Sequence, residues 1–328
     1  MATIYDVAAR AGVSTATVSR VMNGTKVAPD LERAVRAAAE ELAFVPSRTA
    51  RTLRRQSSQV VALVIPDIEN PFWTSVARGV EDRAHSAGYS VILCNTDEDP
   101  GREATYVEIA LAEHISGVIL APGRDDVALS RLIARRCPVV TVDRSAKDVD
   151  VDRVVFDSEG GAWRLVRALI EDGYRRIACI TGKASVETSV LRANGWREAV
   201  SGLGTQDADY LRYGDGRVDG GRAAMSDLLS LPEPPDSVFV ANNLMAVGAL
   251  QALAARGLSV PAFGVAVLGD LPFDVLAGAG AHTSDLPARE LGAAAADLLL
   301  SRIAGDTSAA RTVTLTTGPV VSPATQEA

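Results

Sequence analysis

Several common protein classes can be set aside from what this chain of 328 residues lacks. Its three cysteines, Cys94, Cys137 and Cys179, are odd in number, far apart and set in apolar, strand-like stretches. That excludes a disulfide framework and fits buried thiols in a reducing compartment. No run of about 18 apolar residues exists, so no segment reads as spanning a membrane. The start at Thr3-Ile4-Tyr5-Asp6 carries no basic-then-apolar leader, so a cytoplasmic location is expected. Histidine is scarce: His85, His114 and His282 are not clustered in sequence with any cysteine or carboxylate set, and His85 and His114 are expected on helix surfaces. Neither a metal nor a cofactor is expected. Also missing are a Gly-x-Ser-x-Gly elbow, a His-Glu-x-x-His pair and a Gly-x4-Gly-Lys-Ser/Thr loop. Gly278-Ala279-Gly280 lacks a third glycine and reads as a loop. No catalytic set emerges, and an enzyme is not expected.

What remains is a globular composition, 47% hydrophobic and 23% charged, long enough for two or three domains. The net charge of −8 is unevenly spread: residues 1–56 hold nine Lys/Arg against five Asp/Glu, a net of +4, which leaves −12 for the rest. A basic head on an acidic body concentrates phosphate contact on the head.

The head has a helix–turn–helix pattern. Thr3 and Asp6 stand at the spacing of a capping box, and Ile4, Val7, Ala8 and Ala11 recur on one helical face. Gly12 supplies the positive φ of the turn, Ser14 restarts the chain as an N-cap, and Val13 and Val18 occupy the positions of a hydrophobic staple. With Val18, Val21 and Met22 inward, Thr15, Ala16, Ser19 and Arg20 face out. That small, hydroxylated and cationic face suits a DNA major groove. A third helix is expected from Pro29, with Leu31, Val35, Ala38 and Leu42 as its core stripe. The segment from Pro46 to Ser58 has four arginines and no acid, and only Ala50 and Leu53 worth burying. It is either a flexible linker or a segment that folds once phosphates neutralise its arginines.

From Val60 onward, strands alternate with helices. Short β-branched runs at Val60–Ile65, 89–94, 118–121, 139–142 and 154–156 are followed, after a Gly-Gly break near Gly160-Gly161, by runs at 176–181, 237–240 and 265–268. Helical stretches near 72–87, 101–114, 126–136, 188–201, 219–230 and 243–256 lie between them. A late helix at 287–303 and a strand near 312–317 return the chain to its first half. This pattern predicts two parallel sheets with right-handed crossovers, joined as two lobes about a hinged cleft.

At this point the chain resembles the lactose-repressor (LacI/GalR) family of bacterial transcription regulators, over essentially its whole length. The resemblance is carried by Thr3-Ile4-Tyr5-Asp6-Val7-Ala8, Ala11-Gly12-Val13-Ser14, Thr17-Val18-Ser19-Arg20-Val21-Met22-Asn23 and Ala50-Arg51-Thr52-Leu53. Later stretches agree in order: Asn70-Pro71-Phe72-Trp73, Arg192-Ala193-Asn194-Gly195-Trp196 and Met245-Ala246-Val247-Gly248-Ala249-Leu250. The resemblance implies an all-α helix-turn-helix domain at 1–46, a hinge at 47–57 and a two-lobed α/β body like a periplasmic binding protein at 58–328. Its first lobe would be about 58–158 and 286–316, and its second about 159–285 and 317–328. The family acts as a homodimer on near-palindromic double-stranded DNA. By that match Thr15, Ala16 and Arg20 read bases, while Thr3, Tyr5, Ser14, Thr17, Ser19 and Asn23 position the backbone. Leu53, with Ala50 beside it, matches the wedge that opens the central base step.

The resemblance also implies a small-molecule effector in the cleft, commonly sugar-like, with Phe72, Trp73, Asp143, Arg192, Asn242 and Asp270 as contacts. For Phe72 and Trp73 a plain helix-start core role stands beside the ligand role, and for Asp143 a turn cap. Two departures matter. The family usually has Asn-Asp where this chain has Asn242-Asn243. Its late Gly-aromatic-Asp-Asp run is here Gly269-Asp270-Leu271-Pro272-Phe273, apparently two residues shorter. The alternatives are a solute-binding protein, disfavoured by the basic head, and a regulator of this type that no longer answers to a small molecule. The Ala246–Leu250 helix is a candidate dimer contact, and the leucine-heptad tail of some members is absent from the end at Ser322-Pro323-Ala324-Thr325-Gln326-Glu327-Ala328. A dimer is therefore the default.

Overall fold

The computed structural model describes residues 2–22, 24–44, 58–123, 127–146, 149–203, 207–269 and 280–322. The chain divides into two compact units, Met1–Ser58 and Gln59–Ala328.

In the first unit, α1 spans Ile4–Ala11, α2 Thr15–Met22 and α3 Pro29–Glu41. The capping box forms: the Thr3 amide donates to Asp6 Oδ2 at 2.7 Å, and the Asp6 amide reaches back to Thr3 Oγ1 at 3.4 Å. Gly12 ends α1 at φ +66°, a left-handed conformation that costs an L side chain about 1–2 kcal/mol. Ser14 Oγ accepts the Thr17 amide at 3.2 Å and so caps α2. Val7, Val18, Val21 and Val35 meet in the core, with Val13 and Met22 packed at its edge. Leu31, expected in the α3 stripe, is instead 41% exposed. It sits in the first turn, and burial begins one turn later at Val35, Ala38 and Ala39. Arg10 bridges to Glu41 at 2.7 Å, tying α1 to the end of α3.

The second unit has two parallel sheets. The six-stranded one runs β11-β5-β4-β3-β1-β2, with β1 Val60–Ile65, β2 Ser90–Asn95, β3 Gly117–Leu120, β4 Val139–Val142, β5 Asp152–Phe156 and β11 Thr312–Leu315. Because side chains alternate along a strand, Val61, Leu63 and Ile65 enter one core while Ala62 and Val64 enter another. Helices α4 (Pro71–Ser86) and α12 (Ala288–Ile303) supply the first core; α5 (Pro100–Ala112) and α6 (Val127–Ala134) supply the second.

The five-stranded sheet runs β10-β9-β8-β6-β7, with β6 Ile177–Thr181, β7 Leu211–Tyr213, β8 Ser237–Val240, β9 Gly264–Leu268 and β10 His282–Ser284. Its helices are α7 (Ser158–Glu171), α8 (Glu187–Val200), the short α9 (Asp207–Tyr210), α10 (Val218–Leu228) and α11 (Asn243–Ala255). Strands β7 and β10 were not anticipated, nor was α7, whose Gly160-Gly161 reads locally as a break. Asp157 starts α7 all the same, by accepting the Gly160 amide at 3.0 Å.

Three stretches pass between the lobes: β5 into α7, β10 into α12, and β11 into the segment whose Val321 pairs antiparallel with Thr283. They are laced to one another. The Asp157 amide donates to the Leu315 carbonyl at 3.0 Å and the Gly318 amide to the Asp285 carbonyl at 2.9 Å. Arg164 pairs with Asp157 at 3.2 Å and donates to Thr317 Oγ1 at 2.9 Å.

Candidate functional site

A cavity of about 490 Å³ lies between the two lobes. It is lined by residues that follow the carboxyl ends of β1, β2 and β4 in one sheet and of β6, β7, β8 and β9 in the other. Open parallel sheets present ligand sites at this edge, because loops leaving the strands converge there with helix N-termini.

Phe72, Trp73, Asp143, Arg192 and Asn242 all line this cavity. Their environments differ. Trp73 is buried in the core behind Phe72, ring centroids 4.9 Å apart and nearly perpendicular, whereas Phe72 is half-buried and packs edge-on to Phe156 of the first lobe crossing. Asn242 caps α11, its Oδ1 accepting the Met245 amide at 2.9 Å, which leaves its amide protons for a ligand. Arg192, on α8, donates from one Nη to the Ala241 carbonyl at 2.8 Å, and its buried Nε has no hydrogen-bond partner. Asp143 is buried at φ +65° and does not act as a turn cap in the described contacts; its nearest cation is Arg144 Nε at 3.5 Å. Burial raises the Asp143 carboxyl above the ordinary range, against the pull of Arg144 and Arg192. Burial also lowers the Arg192 guanidinium, opposed by Asp143. Asp270 lies outside the described residues, as do Asn23, Ala50 and Leu53.

The sequence reading missed six further charged groups: Glu98, Arg144, Asp67, Asp97, Arg217 and Glu187. Glu98 takes two hydrogen bonds from Arg144, at 2.6 and 3.1 Å; burial pushes its carboxyl up, but those bonds and the charges of Arg144 and Lys183 together hold it below the ordinary range. Across the mouth, Arg217 of the second lobe meets Asp67 at 3.3 Å and Asp97 at 3.5 Å in the first. A second bridge between lobes joins the Ser145 amide to Glu187 Oε2 at 2.5 Å. No pattern in the sequence marked them, but the backbone does: Asp97, Glu98 and Asp143 are three of the six described non-glycine residues with positive φ. Held strain of that kind costs about 1–3 kcal/mol per residue and gathers at working sites.

In the N-terminal unit, Tyr5, Ala16 and Arg20 are exposed, while Thr15, Thr17 and Ser19 are half-buried. Ser14 and Thr17 hydroxyls lie 3.0 Å apart. Thr3 and Ser14 are engaged as caps, which leaves each hydroxyl oxygen partly spent. His282 is brought to Asp172 Oδ2, 110 residues away in sequence, at 2.9 Å and to Ser322 Oγ at 3.0 Å. Among the described residues no helix is long and apolar enough to cross a membrane, and no cluster of metal-ligating side chains forms.

Comparison with known proteins matches residues 3–47 to the family model described as bacterial regulatory proteins, lacI family. Residues 58–321 match the model described as periplasmic binding proteins and sugar binding domain of LacI family. The ribose operon repressor of Escherichia coli strain K12 is 36% identical over 92% of this chain and 93% of its own length. The transcriptional repressor CytR of the same strain is 34% identical over 79% and 77%. Among solved structures, a lac repressor dimer bound to operator and an anti-inducer superposes with TM-score 0.85 at 27% identity, covering 99% of each chain. A regulator CelR–cellobiose complex does so with TM-score 0.72 at 32% identity, covering 98% of each. A helix-turn-helix head on a two-lobed parallel-sheet body, with full-length likeness to repressors, leaves one conclusion: the chain belongs to the LacI family of bacterial regulatory proteins, sequence-specific DNA-binding regulators of transcription.

Proposed function

We propose that the protein is a cytoplasmic repressor that binds a near-palindromic operator as a homodimer, with an affinity set by a small sugar-like ligand held between its lobes. The single observation that carries the ligand reading is the cavity at the carboxyl ends of both sheets, where a carboxylate, a guanidinium and an amide converge beside an aromatic face. Those are the groups that recognise hydroxyls and a sugar's apolar face. The relatives point the same way, through a repressor of a ribose operon and a regulator complexed with cellobiose.

Thr15, Ala16 and Arg20 are assigned to base edges, with Arg20 bonding guanine and the smaller pair meeting a thymine methyl. Tyr5, Ser14, Thr17, Ser19, Thr3 and Asn23 would hold the phosphates. The 47–57 segment, with Ala50 and Leu53, is the hinge that pairs with its twin in the minor groove. Ligand binding would reset the lobes about the three laced crossings and change the separation of the two hinges across the dimer, so that lobe geometry governs operator affinity.

For the dimer, the outer strand β2 exposes Ile92 and Leu93 at the edge of the six-stranded sheet, a surface suited to a second copy. On α11, Ala246, Gly248 and Ala249 are buried, Gly248 against Val218 and Arg222 of α10, so any contact there must come from Val247, Leu250 and Gln251.

The test is a thermal-shift screen of the full-length protein against neutral sugars, sugar phosphates and nucleosides, followed by operator binding with each hit. A hit that changes operator affinity supports the reading. No hit across the panel favours a regulator that has lost small-molecule control, which the Asn242-Asn243 pair and the short run from Gly269 make a specific second reading.

A further inference from the structure

The crossings between the lobes gather at one edge of each sheet. In the six-stranded sheet they leave from β11 and β5, first and second in the strand order, and in the five-stranded sheet from β10, first in its order. The bridge made by Arg217 stands at the other edge. Arg217 follows β7, the last strand of the five-stranded sheet. Its partners Asp67 and Asp97 follow β1 and β2, the last two strands of the six-stranded one. Between crossings and bridge lies a further cross-lobe bond, from the Ser145 amide after β4 to Glu187 Oε2 at the start of α8.

Each side of the bridge is prearranged by its own lobe. The Arg217 amide donates to Asp215 Oδ1 at 2.9 Å, which fixes the residue that opens α10. Asp97, at φ +53°, is held by Asn95 Nδ2 at 3.0 Å and by Arg102. Asn95 Oδ1 in turn accepts the Ile68 amide at 2.9 Å, and Asp67 accepts the Glu69 amide at 3.0 Å. The two receiving carboxylates are thereby fixed relative to one another.

We propose that Arg217 is the latch of the cleft: its bridge to Asp67 and Asp97 holds the lobes together at the edge farthest from the crossings and sets how often the cleft opens. The inference stands on lobe geometry and is independent of which ligand the cavity takes. Rotation about the crossings carries this edge through the longest arc, so the bridge breaks whenever the cleft opens. Ion pairs of this exposure add little to folding stability. Acting on an open–closed equilibrium, the same small free energy changes the open population several-fold. Because Arg217 is half exposed, salt screens the bridge and loosens the latch.

The Ser145 amide supplies the readout, since its bond to Glu187 crosses the cleft without involving the latch residues. The experiment is hydrogen–deuterium exchange of the full-length protein, wild type and Arg217→Gln, under conditions where exchange tracks the opening equilibrium. Glutamine keeps a polar side chain and removes the charge. Exchange at Ser145 is expected to rise at least about three-fold in Arg217→Gln at low salt, the scale of two half-exposed ion pairs. The buried amides of β8 are expected to stay as protected as in the wild type. Raising salt from about 0.05 to about 0.5 M should bring the wild type up to the variant. Unchanged Ser145 exchange in a folded Arg217→Gln overturns the latch. An equal rise throughout β8 also overturns it, because it marks general loosening and not lobe opening. A difference that persists at high salt overturns the electrostatic origin. If Arg217→Gln does not fold, Asp67→Asn must show the same rise at Ser145, and its failure to do so has the same meaning.

Discussion

Replacing Gly248 by alanine tests how closely the helices beneath the ligand cavity are packed. A Cβ at Gly248 would lie 1.9 Å from the Val218 carbonyl oxygen and 2.6 Å from the Arg222 amide nitrogen. Its counterpart on α10, Gly221, would meet the Met245 carbonyl oxygen at 2.1 Å. Both obstacles are backbone, so no side-chain rotation relieves them, and α10 and α11 must separate by about an ångström. Alanine gains about 0.8–1.0 kcal/mol in a helix interior. Overpacking costs about 1–3 kcal/mol, and a rigid backbone clash belongs at the upper end. The net expectation is a loss of about 2 kcal/mol, which for a body of this size is roughly 4–6 °C in Tm. Differential scanning calorimetry of the full-length protein should show the transition of the body fall by that amount while that of the head stays in place. Gly12→Ala is the mirror control: nothing lies within 4 Å of its Cβ, but φ is +66°, so the head alone should lose about 1 kcal/mol. A body transition that stays or rises in Gly248→Ala would refute the packing argument. Because α11 carries Asn242 to the cavity, ligand affinity should weaken along with stability.

Arg20→Ala should relax discrimination between operator and off-target duplex by about 1–3 kcal/mol while non-specific binding persists, as read by competition anisotropy. Leu53→Ala should weaken operator binding and leave dimer assembly intact; an unchanged mobility shift removes the hinge assignment. Burial works against the Asp152 carboxylate, but its hydrogen bonds from Arg302 and from the Arg311 amide hold it below the ordinary aspartate range. With the folded value depressed, its contribution is full above the unfolded value and vanishes as pH falls through the folded one. Acid denaturation curves should thus show Asp152→Asn less stable than wild type near neutrality, with the difference shrinking below about pH 4.

Much of this architecture could be read from residue order because the periodicities are strong. Val61, Leu63 and Ile65 alternate with Ala62 and Val64 across a sheet covered on both faces, and Pro71 and Pro100 mark helix starts. Where local signals misled, tertiary contact was the reason. Gly160-Gly161 reads as a break, yet Gly161 lies inside α7 because a Cβ there would sit 2.8 Å from Thr317 at the crossing. Strands β7 and β10 are three residues each, too short to show a period, and exist by pairing with β6 and β9. In the site, Phe72, Trp73, Asp143, Arg192 and Asn242 were found through resemblance. Glu98 with Arg144, and Asp67 with Arg217, were not, since their partners stand 46 and 150 residues apart and only the topology unites them.

Whether a cationic head reads DNA for an acidic two-lobed body is decided by fluorescence anisotropy of the full-length protein on inverted-repeat and scrambled duplexes across a salt series. An inverted-repeat sequence should be bound in strong preference to scrambled DNA, with log affinity falling linearly with log salt as phosphate counterions are released. Equal affinity for all duplexes, or binding indifferent to salt, would contradict it.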